Sequence, residues 1–152
     1  MIGSRIRYTL GKEEKLRHKT LVDGVFSKGK TLYEYPLRLS YRILDGEKLA
    51  GSFRREVPAG IGRMQMMITV PKKKMKRAVD RVRMRRLIRE AYRLNRHVVS
   101  HALPSDAATL SLAFVYLNSE KADYQAIERK MKRLLGEMAR RLRGCESSQG
   151  KE

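Results

Sequence analysis

Residues 70–96 read Val-Pro-Lys-Lys-Lys-Met-Lys-Arg-Ala-Val-Asp-Arg-Val-Arg-Met-Arg-Arg-Leu-Ile-Arg-Glu-Ala-Tyr-Arg-Leu-Asn-Arg. This run sets Lys72, Lys73, Lys74, Lys76, Arg77, Arg81, Arg83, Arg85, Arg86, Arg89, Arg93 and Arg96 against only Asp80 and Glu90. Placed at about 100° per residue, the part from Ala78 onward divides into two faces. Met84, Leu87, Ile88, Ala91, Tyr92, Leu94, Val98 and Val99 share one side. Arg85, Arg86, Arg89, Arg93 and Arg96 share the other, with Arg83 at its border and Val82 among the arginines. The pattern predicts a long amphipathic helix over about 77–101 whose wet face is almost entirely guanidinium.

A solvated helix face is served as well by mixed Glu and Lys, which gain i,i+4 pairing. A face of one sign repels itself and is best tolerated against a polyanion. Guanidinium forks match phosphate bidentately, as ammonium groups do not. The helix therefore reads as a binder of RNA or DNA. The whole chain agrees: 152 residues carry a net charge of +19 and a sequence pI near 10.5, which favours nucleic acid as partner. A membrane surface would need an amphipathic helix with its apolar face free for lipid, and the core claims these faces first. No run approaches about 18 apolar residues, and the N-terminus lacks the apolar centre of a signal peptide. The expectation is a soluble, cytoplasmic protein. The lone Cys145 cannot form an internal disulfide, in keeping with a reducing compartment.

Outward from the helix, Gln65–Val70 is a short apolar strand stopped by Pro71. Leu110–Leu117 is an almost continuous apolar run, read as a buried strand, after a break at residues 102–106. Asp123 is a suitable N-cap for a last helix with Ile127, Met131, Leu134, Leu135, Met138 and Leu142 at 3–4 spacing. Upstream, Leu37, Leu39, Tyr41 and Ile43 alternate with Arg38, Ser40 and Arg42 in a strand over Pro36–Leu44. Lys30–Tyr33 is a shorter strand, Asp45-Gly46 a turn, and residues 49–63 an extended loop. Leu21, Val22, Val25 and Phe26 mark a helix between Leu16 and Gly29, weakened by Gly24. Residues 1–15 read as a flexible basic leader, 16–143 as one RNA-binding domain and 144–152 as a disordered tail. The order αβββαβα predicts an α+β domain, a single four-stranded sheet with helices against it. A parallel crossover over residues 65–117 would by general preference be right-handed.

The stretch at 70–90 resembles the protein subunit of bacterial ribonuclease P. That signature runs from an apolar strand through Ser-x-Lys-Lys, a Gly-Asn-containing link and Ala-Val to Arg-Asn-Arg-x-Lys-Arg-x-x-Arg-Glu. Val70, Lys72, Lys73, Ala78, Val79, Arg81, Arg83, Arg85, Arg86, Arg89 and Glu90 match it. Pro71 stands in place of the Ser, the link reads Lys74-Met-Lys-Arg77, and Val82 replaces the central Asn. Val22-Asp-Gly-Val-Phe-Ser-Lys-Gly29 is similar to the family's first helix, Phe-x-x-Val-Phe-x-x-Gly. The resemblance implies a ribosomal protein S5 domain 2-like fold with a left-handed crossover. It further implies a subunit that binds the catalytic RNA and the 5′ leader of precursor tRNA while the RNA, with Mg²⁺, cuts. Carried over, Lys72, Lys73, Lys76, Arg77, Arg81, Arg83, Arg85, Arg86 and Arg89 would face RNA. Val22, Phe26 and Tyr41 would line a leader cleft between the first helix and the sheet, although each reads equally as core.

The residues themselves supply no nuclease. The acids are scattered, with no Asp-x-Asp or Glu-x-x-His grouping to hold Mg²⁺. His97 and His101 stand at i,i+4, the spacing of helical zinc sites, but lack a third ligand; as cations in a last turn they complement the helix dipole. No catalytic residue, protein-bound cofactor, metal ligand or obligate protein partner is expected. The alternative is a ribosomal or ribosome-assembly protein that uses a similar basic helix on structured RNA.

Overall fold

The computed structural model describes residues 10–53, 56–57, 61–103 and 107–149. A single four-stranded sheet is built from β1 (Lys30–Glu34), β2 (Leu37–Asp45), β3 (Met64–Thr69) and β4 (Ala107–Tyr116), in the spatial order β1-β2-β4-β3. β1 and β2 form an antiparallel hairpin in which Lys30 opposes Tyr41 and Tyr33 opposes Arg38. β4 runs antiparallel to β2 on one side and parallel to β3 on the other.

Side-chain alternation divides the sheet into two faces. Leu37, Leu39 and Tyr41 of β2, with Leu110, Leu112, Phe114 and Tyr116 of β4, enter the main core. Above them lie α3 (Ala78–Asn95) and α5 (Tyr124–Gln149), which contribute Met84, Ile88, Ala91 and Tyr92, and Ile127, Met131, Leu134, Leu135 and Met138. The Tyr92 and Phe114 rings meet edge-on at 5.6 Å. The other face holds a smaller core of Leu16, Leu21, Val25, Leu44 and Ala113 beneath α1 (Lys19–Lys28). Asp123 caps α5 as its sequence leads one to expect, accepting from the Ala126 amide at 2.9 Å.

The seven predicted elements are present, with four local departures. First, residues 49–51 are not loop. Asp45 Oδ1 accepts from the Lys48 amide at 2.8 Å and starts a short helix, α2 (Gly46–Gly51); what reads as a turn signal is an N-cap followed by helix formers. Second, the long helix is interrupted at Arg96, and the chain goes on as the short α4 (His97–Ala102). Asn95 Nδ2 bonds back to the Ala91 carbonyl at 2.8 Å, a local competition that bends helices. Third, the leader is held from Gly11 onward. Glu13 O accepts from the Gly62 amide at 3.0 Å and from Gln65 Nε2 at 3.1 Å, and the Leu16 amide donates to Met66 O at 2.9 Å. Fourth, α5 continues through Gly144 to Gln149, since one glycine costs a helix only about 1 kcal/mol and no proline follows.

Gly29 ends α1 with φ −80° and ψ 166°, so a left-handed cap is not the reason for glycine here. A Cβ at this position would collide with the Val25 carbonyl oxygen and lie 2.7 Å from Tyr41 O. Both are backbone atoms that cannot swing aside. At Gly24 the obstacle is only the Nη1 tip of Arg42. Gly29→Ala is therefore expected to destabilise the fold by about 1–3 kcal/mol through overpacking. Gly24→Ala should stay near neutral, as the gain in helix propensity of up to about 1 kcal/mol offsets displacement of Arg42. Urea melts of the two variants check the order, and equal losses would overturn it.

Candidate RNA interface

The basic stretch divides into a loop and a helix face. In the loop, the amides of Lys74 and Met75 both donate to Pro71 O at 3.1 Å, and Met75 is buried in the main core. This anchor leaves Lys72, Lys73, Lys74 and Lys76 all exposed. Pro71, which departs from the family's Ser, thus supplies the carbonyl that closes the turn. Arg81 reaches back from the first turn of α3, and its Nη1 donates to Met75 O at 2.9 Å and Lys76 O at 2.8 Å. Half of this side chain's function is therefore to hold the lysine loop.

Along α3, Arg77, Arg83, Arg86 and Arg89 are exposed and Arg85 is half-buried. The two acids of the stretch are both engaged. Asp80 meets Lys121 at 3.3 Å. Glu90 accepts from Arg93 Nε at 2.9 Å and Nη2 at 2.5 Å, and this pairing with Arg93 holds its carboxyl below the usual range. Among the described residues no carboxylate pairs with Arg83, Arg86 or Arg89. Arg93 is thus neutralised, and Arg96 leaves the face altogether: it turns inward, is buried, and forms an ion pair with Glu14.

The three residues implied for the leader cleft do not come together. Val22 is half-buried on α1 and Phe26 is 45% exposed there. Tyr41 lies on the opposite face of the sheet, only 5% exposed in the main core. Its place in the alternation with Leu37 and Leu39 requires this. By strand alternation Thr31 and Tyr33 of β1 and Arg38, Ser40, Arg42 and Leu44 of β2 share the α1 face; among them Tyr33 is 67% exposed and lies opposite Arg38. Arg38 Nε is buried and has no hydrogen-bond partner among the described residues. Tyr33 was missed although its parity opposite Leu32 was a usable signal.

His97 and His101 do approach, with ring centroids 6.2 Å apart, within the short α4 rather than within one long helix. Among the described residues no three of His, Cys, Asp and Glu gather in a way that could hold a metal ion. No helix among them is long and apolar enough to cross a membrane.

A helix-covered sheet whose crossover helix presents unpaired arginines defines an RNA-binding subunit. Residues 10–139 match the family model described as Ribonuclease P. The Ribonuclease P protein component of Porphyromonas gingivalis is 34% identical over 128 residues, 84% of this chain and 85% of that protein. That of Chlorobaculum tepidum is 34% identical over 120 residues, 76% and 72%. The structure of the RNase P protein from Thermotoga maritima superposes with a TM-score of 0.58 at 21% identity, over 82% of this chain and 96% of that one. The Staphylococcus aureus RNase P protein gives 0.57 at 13% identity, over 80% and 92%; both share the fold. The chain belongs to the ribonuclease P family, as the protein component of that endoribonuclease. Membership decides between the two RNA-binding readings against the ribosomal one.

Val82, where the family motif has Asn, is 36% exposed on the arginine face. Val82→Asn is expected to change stability by no more than about 0.5 kcal/mol, as for surface substitutions, and to leave RNA affinity equal or improved. A melt and an RNA titration decide it; a stability loss of about 1–3 kcal/mol, the cost of burying an unpaired amide, would contradict this placement of the helix face.

Proposed function

We propose that this chain binds the catalytic RNA through α3 and the lysine loop, and the 5′ leader of precursor tRNA through the α1 face of the sheet. The RNA removes the leader with Mg²⁺. The observation that carries the reading is the row Arg83, Arg86 and Arg89, exposed and without carboxylates beside a loop of four exposed lysines. Such a face is disfavoured by self-repulsion until phosphates neutralise it, and its affinity arises largely from counterion release. Lys72, Lys73, Lys76, Arg77 and Arg85 extend the same surface. Arg81 acts on it indirectly, by holding the loop.

For the leader, Val22 and Phe26 of α1 are joined by Tyr33 and Arg38 of the sheet, in place of Tyr41. Exposed aromatics next to a cation are what a single strand needs, because every base offers a face for stacking. Bond cleavage is assigned to the RNA, and no step of it to this chain. Its contribution is to hold and orient the two RNAs, in the cytoplasm.

The protein freed of RNA is expected to leave precursor tRNA intact. Added to a ribonuclease P RNA at limiting Mg²⁺, it should raise the rate of leader removal, and Arg86→Gln with Arg89→Gln should reduce that enhancement. Cleavage by the protein alone, or an unresponsive RNA, would sink the proposal. Phe26→Leu tests the leader surface separately. It should weaken binding of leader-bearing substrate by about 1–3 kcal/mol while leaving mature tRNA unaffected; an equal loss with both returns Phe26 to a structural role.

A further inference from the structure

A cavity of about 400 Å³ opens where the end of α1 meets the start of β1, and its wall is cationic. Lys28 from the end of α1, Lys30 from β1, Arg42 from β2, Lys48 from α2 and Arg141 from α5 all line it. Five separate elements thus deliver one cation each and none of the residues lining it is acidic; of the five, Arg141 shares its charge with Glu137 behind it. Tyr41, Ile43 and Leu142 add the apolar part of the wall.

Such convergence is not a by-product of a basic surface helix, where neighbouring cations follow from local sequence. It depends on close packing. Gly29 lets α1 end against the Tyr41 carbonyl, with 2.7 Å to spare for no Cβ, and this places Lys28 and Lys30 on either side of the approach. Gly24 leaves the notch in which the Arg42 guanidinium lies. Arg141 stands beside the Tyr41 hydroxyl and the Glu137 carboxylate, which keep it firmly protonated; Glu137 Oε1 is 3.4 Å from its Nε. Like charges gathered around a concave, partly low-dielectric wall raise the local potential and draw an anion into it. The volume falls within the range of small-molecule sites, which join an apolar wall to a few convergent polar groups.

Three of the cations, Lys28, Arg42 and Lys48, also border a second depression of about 480 Å³ with Thr20, Ser27 and Ser52, where Asp23 is the one acid of the lining. On α1, Thr20, Gly24 and Ser27 lie on the flank away from Val22 and Phe26 at helical spacing. The basic path therefore runs on a side of α1 that the leader surface does not use, and no residue of α3 takes part in it.

We propose that this cavity is a second anion site that takes one phosphate-bearing nucleotide unit, its phosphate among the lysines and Arg141 and its apolar part against Tyr41, Ile43 and Leu142. A nucleotide within an RNA strand and a free nucleotide share this chemistry. The proposal does not depend on the arginine face of α3.

Adenosine monophosphate, titrated at low ionic strength into the full chain and followed by backbone amide chemical shifts, provides the test. The amides of Lys30, Thr31 and Tyr41 should move. Lys30→Gln with Lys48→Gln alters two exposed side chains and should leave the melting temperature unchanged. It should weaken binding by at least about tenfold, the loss expected for charge-assisted contacts to phosphate. Arg86→Gln with Arg89→Gln should bind the nucleotide like the unaltered protein. Shifts confined to α3, or unchanged affinity in the lysine variant, would overturn the site. A short single-stranded RNA that displaces the nucleotide from the same amides identifies an RNA strand as the source, whereas binding of the nucleotide without such displacement identifies a free nucleotide; both outcomes support the site.

Discussion

β4 has a strand on each edge and a packed layer on each face. It pairs antiparallel with β2 and parallel with β3, with Leu110, Leu112, Phe114 and Tyr116 fully buried on one side and Ser111 and Ala113 on the other. Two parallel neighbours cannot be joined by a tight turn, because the chain must return to the starting end of the sheet. That return is made by α3 and α4. The requirement to cover the main core sets the inner side of α3, and the outer side is left for arginine. The arginine surface is thus a consequence of how the central strand is paired.

Sixteen acids against thirty-five Lys and Arg residues leave little room for accidental neutralisation, and the acids go to structural positions. Glu34 joins β1 to α5 through Lys130 at 3.4 Å and Arg133 at 3.2 Å, and its hydrogen bond from Arg133 lowers its pKa. Glu137 serves Arg140 and Arg141 within α5, while Glu14 meets Arg96. The more exposed pairs, those of Glu34 and Glu137, each contribute at most about 1 kcal/mol. Their larger effect is on where positive charge remains: on α3 with its loop, and around the cavity between β1, α2 and α5.

Much of this was legible in the sequence where the signal is periodic. The apolar stripe of α3 and the alternation from Leu37 to Ile43 specify both elements and their buried sides. Arg96 was not legible, because its partner Glu14 lies 82 residues away and a helical wheel cannot register a distant carboxylate. Arg81 misleads in a similar way: its partners are main-chain carbonyls, which a side-chain pattern does not show. Tyr41 is different. Its parity with Leu37 and Leu39 already placed it in the core, and family resemblance suggested the cleft against that parity. Tyr33 and Arg38 are on the other parity, the one that faces α1.

The docking of residues 11–16 has a consequence for the order in which the chain can become structured. Their partners are Gly62, Gln65, Met66 and Arg96, and the central strand lies later still, ending at Tyr116. During synthesis from the N-terminus, the β1–β2 hairpin is therefore available long before either the strand that must enter beside it or the partners of residues 11–16. Contacts of such long sequence separation slow folding, since loop closure precedes the gain from pairing. Residues 11–16 have to wait, unpaired, until Gly62 to Met66 have followed them, and for their ion pair until Arg96 has.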